Sequence, residues 1–93
     1  MTIWKFPILE SGWPTPAVVE MPVGSEILSL QMQNGKPTIW AKCDQREHVK
    51  IRRQFVRIGT GWEFDGPLRN HIATIQDEAG FVWHWFELYT RKA

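Results

Sequence analysis

The sequence predicts an all-β fold: a small antiparallel sandwich or partly open barrel of about six to seven short strands. No window of the 93 residues carries the 3.6-residue apolar period of a helix. Short stretches rich in β-branched and aromatic residues alternate instead with Gly, Pro and Asn-Gly turn signals. A chain of this length holds one hydrophobic core, so we expect a single β domain over residues 1–93.

The Asn34-Gly35 dipeptide predicts the clearest element, a β-hairpin over residues 26–43. Both central residues of a type I′ turn need positive φ, which Asn and Gly adopt most readily. A two-residue loop fixes the register, since facing residues are found by counting outward from it. The expected facing pairs are Gln33–Lys36, Met32–Pro37, Leu30–Ile39, Ser29–Trp40 and Leu28–Ala41.

This register gives the hairpin one core face and one polar face. Leu28, Leu30 and Ile39 share the expected core face. Trp40 stands on the opposite face together with Ile27 and several polar side chains, where a lone domain would meet water. A large indole in that position indicates a second layer, another subunit or a flat ligand.

The other strands follow from turn signals along the chain. We expect strands at residues 2–7, 17–21, 49–58, 72–76 and 81–89, with loops at 8–16, 44–48 and 62–69 and a turn at 77–80.

The last of these strands is apolar on both faces, which is typical of a strand buried on both sides. The chain also carries six Trp and five Phe, more than one small core easily hides. Closed symmetry is the default for small assemblies. We therefore expect a homo-oligomer, either a dimer or a tetramer. In the last predicted strand, residues 81–89, one face carries Phe81, Trp83 and Trp85, and the other carries Val82, His84 and Phe86.

Charge and composition argue against several classes of partner. The net charge is +1, so binding to nucleic acid is not expected from overall electrostatics. One cysteine, Cys43, excludes an internal disulfide and fits a reducing compartment. With no signal peptide and no apolar run of membrane length, we expect a cytoplasmic protein without a membrane partner.

The residues that could carry chemistry do not form a catalytic or metal-binding motif. The lone thiol has no activating partner in a recognisable pattern, and the histidines His48, His71 and His84 lack metal-ligand spacing. We therefore expect no enzyme activity, no metal and no cofactor.

The best candidate for anion binding is the Gly-Thr-Gly turn at residues 59–61, after a strand that bears arginines. Backbone N–H groups of consecutive glycines can converge on an oxyanion, and a threonine adds a hydroxyl donor. A plain turn or β-bulge explains the same residues, as a solvated strand face explains the arginines. The candidate ligand-binding residues are Trp40, Arg52, Arg53, Thr60, Gly61, Trp62 and His84.

Several segments of the chain follow a known family pattern: Ile3-Trp4-Lys5-Phe6-Pro7, residues 20–35, Pro37 with Ile39-Trp40-Ala41, residues 55–61, residues 72–76 and residues 82–87. Through these segments most of the chain resembles a widespread family of short, uncharacterised tailed-phage proteins. The departures are the loop at residues 13–16 and the tryptophans Trp83 and Trp85.

The resemblance implies a phage gene expressed in the host bacterial cytoplasm. Similar small phage proteins include oligomeric sponges that sequester the cyclic nucleotides of host immune signalling. The expected function is therefore anti-defence capture of a cyclic nucleotide, with phosphates on Arg52 or Arg53 and a base on Trp40 or Trp62.

A protein-binding inhibitor or assembly module is the alternative. It would act through an exposed aromatic patch anchored by Trp40 and Ile27 and would need no anion site. Single-stranded nucleic-acid binding is the weakest reading, because the basic stretch is short and the net charge is near neutral.

Overall fold

A computed structural model describes residues 1–89 as an all-β structure. These residues contain no helix long and apolar enough to cross a membrane. The strands are β1 (Thr2–Pro7), β2 (Ala17–Pro22), β3 (Glu26–Gln33), β4 (Lys36–Cys43), β5 (Lys50–Gly59), β6 (Leu68–Gln76) and β7 (Val82–Leu88).

The strands form two antiparallel sheets that face one another across the core. One sheet has the order β1-β4-β3 and the other has the order β2-β5-β7-β6. The sheets do not close into a barrel, so the architecture is a small β sandwich and the expected all-β fold is confirmed. Strands β3 and β6 lie against each other at one side of the sandwich.

Every predicted strand is present, with one large difference in length. Strand β6 begins at Leu68 rather than at residue 72. Its pairing with β7 shifts register between Leu68 and Asn70 and again between His71 and Ala73. Such bulges break the alternation of inward and outward side chains, so the sequence pattern does not reveal the first half of this strand.

The β3–β4 hairpin has the predicted turn and most of the predicted register. Asn34 and Gly35 have φ values of 50° and 77°, as a type I′ turn requires. The pairs from Gln33–Lys36 to Ser29–Trp40 are confirmed.

The expected pair Leu28–Ala41 is wrong. A bulge between Ile27 and Ser29 adds one residue, so Ile27 faces Ala41. Leu28 is therefore turned out of the core and is 47% exposed. Ile27, which was expected on the polar face, packs against the core instead.

The core lies between the inner faces of the two sheets, and Trp85 is its largest side chain. Trp85 is 1% exposed and is supplied by β7. Gly12 in the loop after β1 passes directly over this ring, since a Cβ at Gly12 would lie 2.9 Å from its six-membered part. The buried core cluster consists of Ile8, Ala17, Val19, Met21, Leu30, Ile39, Ala41, Cys43, Phe55 and Trp85.

The sequence predicted that strand β7 is buried on both faces. Within one chain only its inner face is buried. It lies between β5 and β6, and its inner face carries Trp85 and Glu87, which are both buried. On the outer face Val82 is exposed and Phe86 is half-buried. The reason is that each sheet has a second sheet on one side only.

Candidate functional site

An aromatic groove of about 630 Å³ lies at one end of the four-stranded sheet. Its volume falls in the range of sites that hold small molecules or an anchoring side chain. It is lined by Gly59, Thr60, Trp62, Gly80, Phe81, Val82 and Trp83.

The first wall of the aromatic groove is built by the turn that ends β5. Trp62 N–H donates to the carbonyl of Gly59 at 3.0 Å, and Gly61 has a φ of 86°. The indole of Trp62 folds back over Gly59, where a Cβ would lie 2.8 Å from the ring. The absence of a side chain at Gly59 therefore sets the position of Trp62, which is 46% exposed.

The second wall is built by the turn between β6 and β7, which Asp77 organises. Asp77 Oδ1 accepts hydrogen bonds from the backbone N–H groups of Ala79 and Phe81 at 2.9 and 3.0 Å. Its other oxygen accepts a hydrogen bond from Trp83 Nε1–H at 2.9 Å. One carboxylate thus fixes both the turn and the indole of Trp83. The side chain of Phe81, in the same turn, is 64% exposed.

The same contacts lower the pKa of Asp77 below its ordinary value. The indole N–H of Trp83 makes the largest contribution, burial opposes it, and the backbone N–H groups of Phe81 and Ala79 lower the pKa further. These three N–H groups donate to the charged form of the carboxylate and so favour it.

Aromatic contacts join the two walls. Trp62 meets Trp83 edge to face, with ring centroids 5.3 Å apart and an interplanar angle of 84°. Phe81 lies 6.3 Å from Trp83. Trp13, in the loop after β1, extends the cluster by contacting Trp62 at 5.2 Å and Phe64 at 6.0 Å.

Arg57 supports Trp83. The guanidinium carbon of Arg57 lies 4.1 Å from the centroid of the Trp83 ring, which is a cation–π contact. Its Nε is buried and has no hydrogen-bond partner among the described residues. Arg57 does not line the aromatic groove, and none of the lining residues is charged.

Three of the predicted ligand-binding residues, Thr60, Gly61 and Trp62, lie in the turn beside the aromatic groove. The Thr60 hydroxyl shares a hydrogen bond with His84 Nε2 at 2.8 Å, on the outer face of the sheet. His84 Nδ1 in turn lies 3.0 Å from the hydroxyl of Thr74. Since Trp62 N–H is bonded within the turn, the Gly-Thr-Gly segment is a closed β-turn rather than an open anion-binding loop.

Arg53 is not free to bind a phosphate beside that turn. Its Nε and Nη2 donate to the two carboxylate oxygens of Glu87 at 2.6 and 2.7 Å, and its Nη1 donates to the carbonyl of Ser25 at 2.7 Å. Arg53 and Gly59 are six positions apart along β5, a distance of about 20 Å. The expected pairing of Arg53 with the Gly-Thr-Gly turn is therefore not formed.

Arg52 and Trp40 also lie away from the aromatic groove. Arg52 lines a separate depression on the outer face of the four-stranded sheet, together with Phe64 and Leu88. Trp40 belongs to the other sheet, where it is half-buried opposite Lys5 and Ser29. One chain therefore does not bring the predicted arginines and tryptophans into a single site.

The sequence-based prediction missed Phe81, Trp83, Arg57 and Asp77. Trp83 was assigned only to the last strand, with no role in a site. The signal that could have located the groove is the segment from Asp77 to Trp83. An Asp that begins a tight turn with Gly three residues later can cap the turn and also reach an indole beyond it.

Within residues 1–89, no group of three His, Cys, Asp or Glu side chains is arranged to hold a metal ion. The half-exposed aromatic rings and the uncharged lining suit contact with apolar or planar groups.

Comparisons with known proteins place the chain in a family. No curated protein and no solved structure shows a significant match to it. The family model described as "Domain of unknown function (DUF7352)" matches residues 1–93, the whole chain. The chain belongs to this family.

Proposed function

We propose that the protein is a non-catalytic binding module that docks an apolar segment of a protein partner in the aromatic groove. The observation that carries this proposal is that two large rings, Trp62 and Phe81, are about half exposed on opposite walls of a preformed groove. Exposed aromatic side chains beside a pocket are typical anchors of protein interfaces.

The uncharged lining supports a protein partner over a phosphate-bearing one. A nucleotide phosphate needs cations or free N–H donors, which stabilise its charge. Arg53 is occupied by Glu87, and the turn N–H of Trp62 is occupied by Gly59. An aliphatic or aromatic side chain needs only shape and apolar area.

The resemblance to tailed-phage proteins suggests where the protein would act. In that setting the module acts in the cytoplasm of an infected bacterium and inhibits a host defence protein or assists an assembly step. The anchors are Trp62 and Phe81 rather than Trp40 and Ile27, since Ile27 packs against the core.

Cyclic-nucleotide sequestration is the second candidate, and the exposed face of Trp62 favours it. An exposed indole can stack on a nucleobase, and Thr60 lines the same wall of the groove. Its phosphates would then need cations from a second copy, because no arginine among residues 1–89 lines the groove.

A displayed peptide library, selected on the wild-type chain, tests the proposal. We expect enriched peptides with a shared aromatic or aliphatic anchor that bind Trp62→Ala and Phe81→Ala about thirtyfold more weakly, since truncating a residue that anchors an interface costs about 2 kcal/mol. Leu9→Ala, another exposed apolar position, is the matched control and should bind as the wild type does.

Calorimetry with cyclic di- and trinucleotides separates the two candidates. Nucleotide binding that Trp62→Ala abolishes would replace the protein-docking proposal with sequestration. Peptides that bind both groove variants as tightly as the wild type would place the interaction elsewhere on the surface.

A further inference from the structure

We propose that two copies of this chain form a dimer by pairing their β1 strands antiparallel, which joins the two three-stranded sheets into one continuous sheet. The pairing surface is the free edge of β1, which is separate from the aromatic groove. The residues that carry it are Ile3, Trp4 and Lys5.

The free edge of β1 offers regularly spaced hydrogen-bonding groups. Ile8 N–H donates to the carbonyl of Pro37 on β4 at 2.8 Å. In an antiparallel ladder alternate residues point to the same neighbour, so Trp4 and Phe6 also point to β4. The N–H and C=O groups of Ile3 and Lys5 therefore point away from β4, and no described strand pairs with that edge.

Strand β1 carries one proline, Pro7, whose missing N–H lies on the free edge, but it stands at the end of the strand and leaves the edge groups of Ile3 and Lys5 open to pairing. Strands β3 and β6 carry register shifts, whereas β1 pairs with β4 without interruption from Thr2 to Pro7. A lysine on an edge strand ordinarily discourages association. Here Lys5 Nζ donates to Gln33 Oε1 on β3 at 3.0 Å, so the ammonium group is drawn across the sheet and away from the edge.

Trp4 supplies the apolar surface that pairing would cover. It faces the same side of the sheet as its buried partner Ala41, yet it is 41% exposed because β1 is the edge of the sheet. On the outer side of the strand Ile3 is also exposed. Burying these two side chains favours association.

One register uses all of these features. With Trp4 opposite the partner's Trp4, Ile3 faces the partner's Lys5, and each such pair exchanges both of its backbone hydrogen bonds. The two indoles then meet at a non-hydrogen-bonded pair, where side chains approach most closely. The neighbouring registers are poorer, because one sets Lys5 against the partner's Lys5 and the other leaves Lys5 opposite Met1.

The other uninterrupted edge, that of β2, is a weaker candidate. Its central apolar side chain, Val19, is only 7% exposed, so pairing at this edge would cover little apolar surface. The same strand presents Glu20, which is exposed. The β1 edge is therefore the one that gains from a second copy.

Sedimentation equilibrium of the full chain tests the proposal at concentrations up to about 100 μM, where a micromolar dimer is well populated. We expect a dimer for the wild type and at least about tenfold weaker dimerisation for Lys5→Pro, which removes an outward N–H but no bond to β4. Glu20→Pro, the matched change on the β2 edge, should remain dimeric. A monomeric wild type, or a dimer that Lys5→Pro leaves unchanged, overturns the proposal.

Cysteine cross-linking tests the register and does not depend on the proline variants folding. Opposed residues of a non-hydrogen-bonded pair have Cα atoms about 4.5 Å apart, within the range of a disulfide. Trp4→Cys should therefore form a covalent dimer on mild oxidation. Leu28→Cys, equally exposed but on β3, should not, and equal cross-linking of both variants contradicts the register.

Discussion

The guanidinium of Arg53 on β5 donates two parallel hydrogen bonds, of 2.6 and 2.7 Å, to the carboxylate of Glu87 on β7. Both side chains are buried, Glu87 with 2% of its surface exposed and Arg53 with 9%. A third hydrogen bond from Arg53 reaches the carbonyl of Ser25, just before β3 in the opposite sheet. The pair therefore links the two neighbouring strands to each other and to the facing sheet.

Removing one member of this pair should destabilise the fold severely. Glu87→Ala leaves a buried guanidinium without its counter-charge, and we expect a loss of about 3–5 kcal/mol in the free energy of unfolding. Denaturant unfolding followed by tryptophan fluorescence measures this loss. Glu26→Ala, which breaks the exposed ion pair with Lys42, is the control and should cost about 1 kcal/mol or less.

The double variant Arg53→Met with Glu87→Leu separates charge burial from packing. Replacing a buried ion pair with apolar side chains of similar size is often neutral, so the double variant should be more stable than Glu87→Ala. A double variant as unstable as the single one would show that the geometry of the pair, rather than its charge, holds the strands.

Asp77 should make the turn beside the aromatic groove sensitive to acid. Its pKa is lowered by hydrogen bonds to the charged form, so its contribution to stability is complete above the ordinary value of 3.8. That contribution is lost as the pH falls through the lowered, folded-state pKa. Melting curves between pH 6 and pH 2, compared for the wild type and Asp77→Asn, should converge at the acid end. Parallel curves throughout would contradict the assignment.

Gly59→Ala should displace Trp62 with little effect on global stability. The new Cβ would lie 2.8 Å from the indole, which must move because it occupies that space. Trp62 is on the surface, so the cost in stability should stay below about 1 kcal/mol, as for most surface changes. Tryptophan emission and binding of the selected peptides should both change.

The matched control for that variant is Gly24→Ala. Gly24 has a φ of 81° and nothing within 4 Å of its Cβ position, so alanine there strains the backbone without touching the groove. Unchanged peptide binding by Gly59→Ala would show that the position of Trp62 is unimportant for docking.

Gly35→Val should weaken the β3–β4 hairpin. Gly35 has a φ of 77°, which a β-branched residue resists, and we expect a loss of about 1 kcal/mol or more. Asn34→Gly, at a φ of 50°, is compatible with the same turn and should change the melting temperature less. Equal melting temperatures for Gly35→Val and the wild type would be inconsistent with the observed turn.

The sequence by itself determined the features that depend on neighbouring residues. The Asn34-Gly35 turn and the pairs nearest to it follow from local backbone preference, and so do the alternating stretches that became strands. The predicted register is wrong at Leu28, because the bulge between Ile27 and Ser29 adds one residue, which the alternating pattern of the sequence does not reveal.

Only the tertiary structure decided which side chains meet. Arg53 and Glu87 are 34 residues apart in sequence, and the pairing of β5 with β7 brings them together. The aromatic groove likewise joins the turn after β5 to the turn before β7. Strand periodicity predicts to which face of a sheet a side chain points. The residue that it contacts on a neighbouring strand depends on strand order, which local sequence does not encode. For that reason the sequence predicted a small β sandwich or partly open barrel that is rich in aromatic residues, and the tertiary structure alone decided that Trp62, Phe81 and Trp83 line one groove.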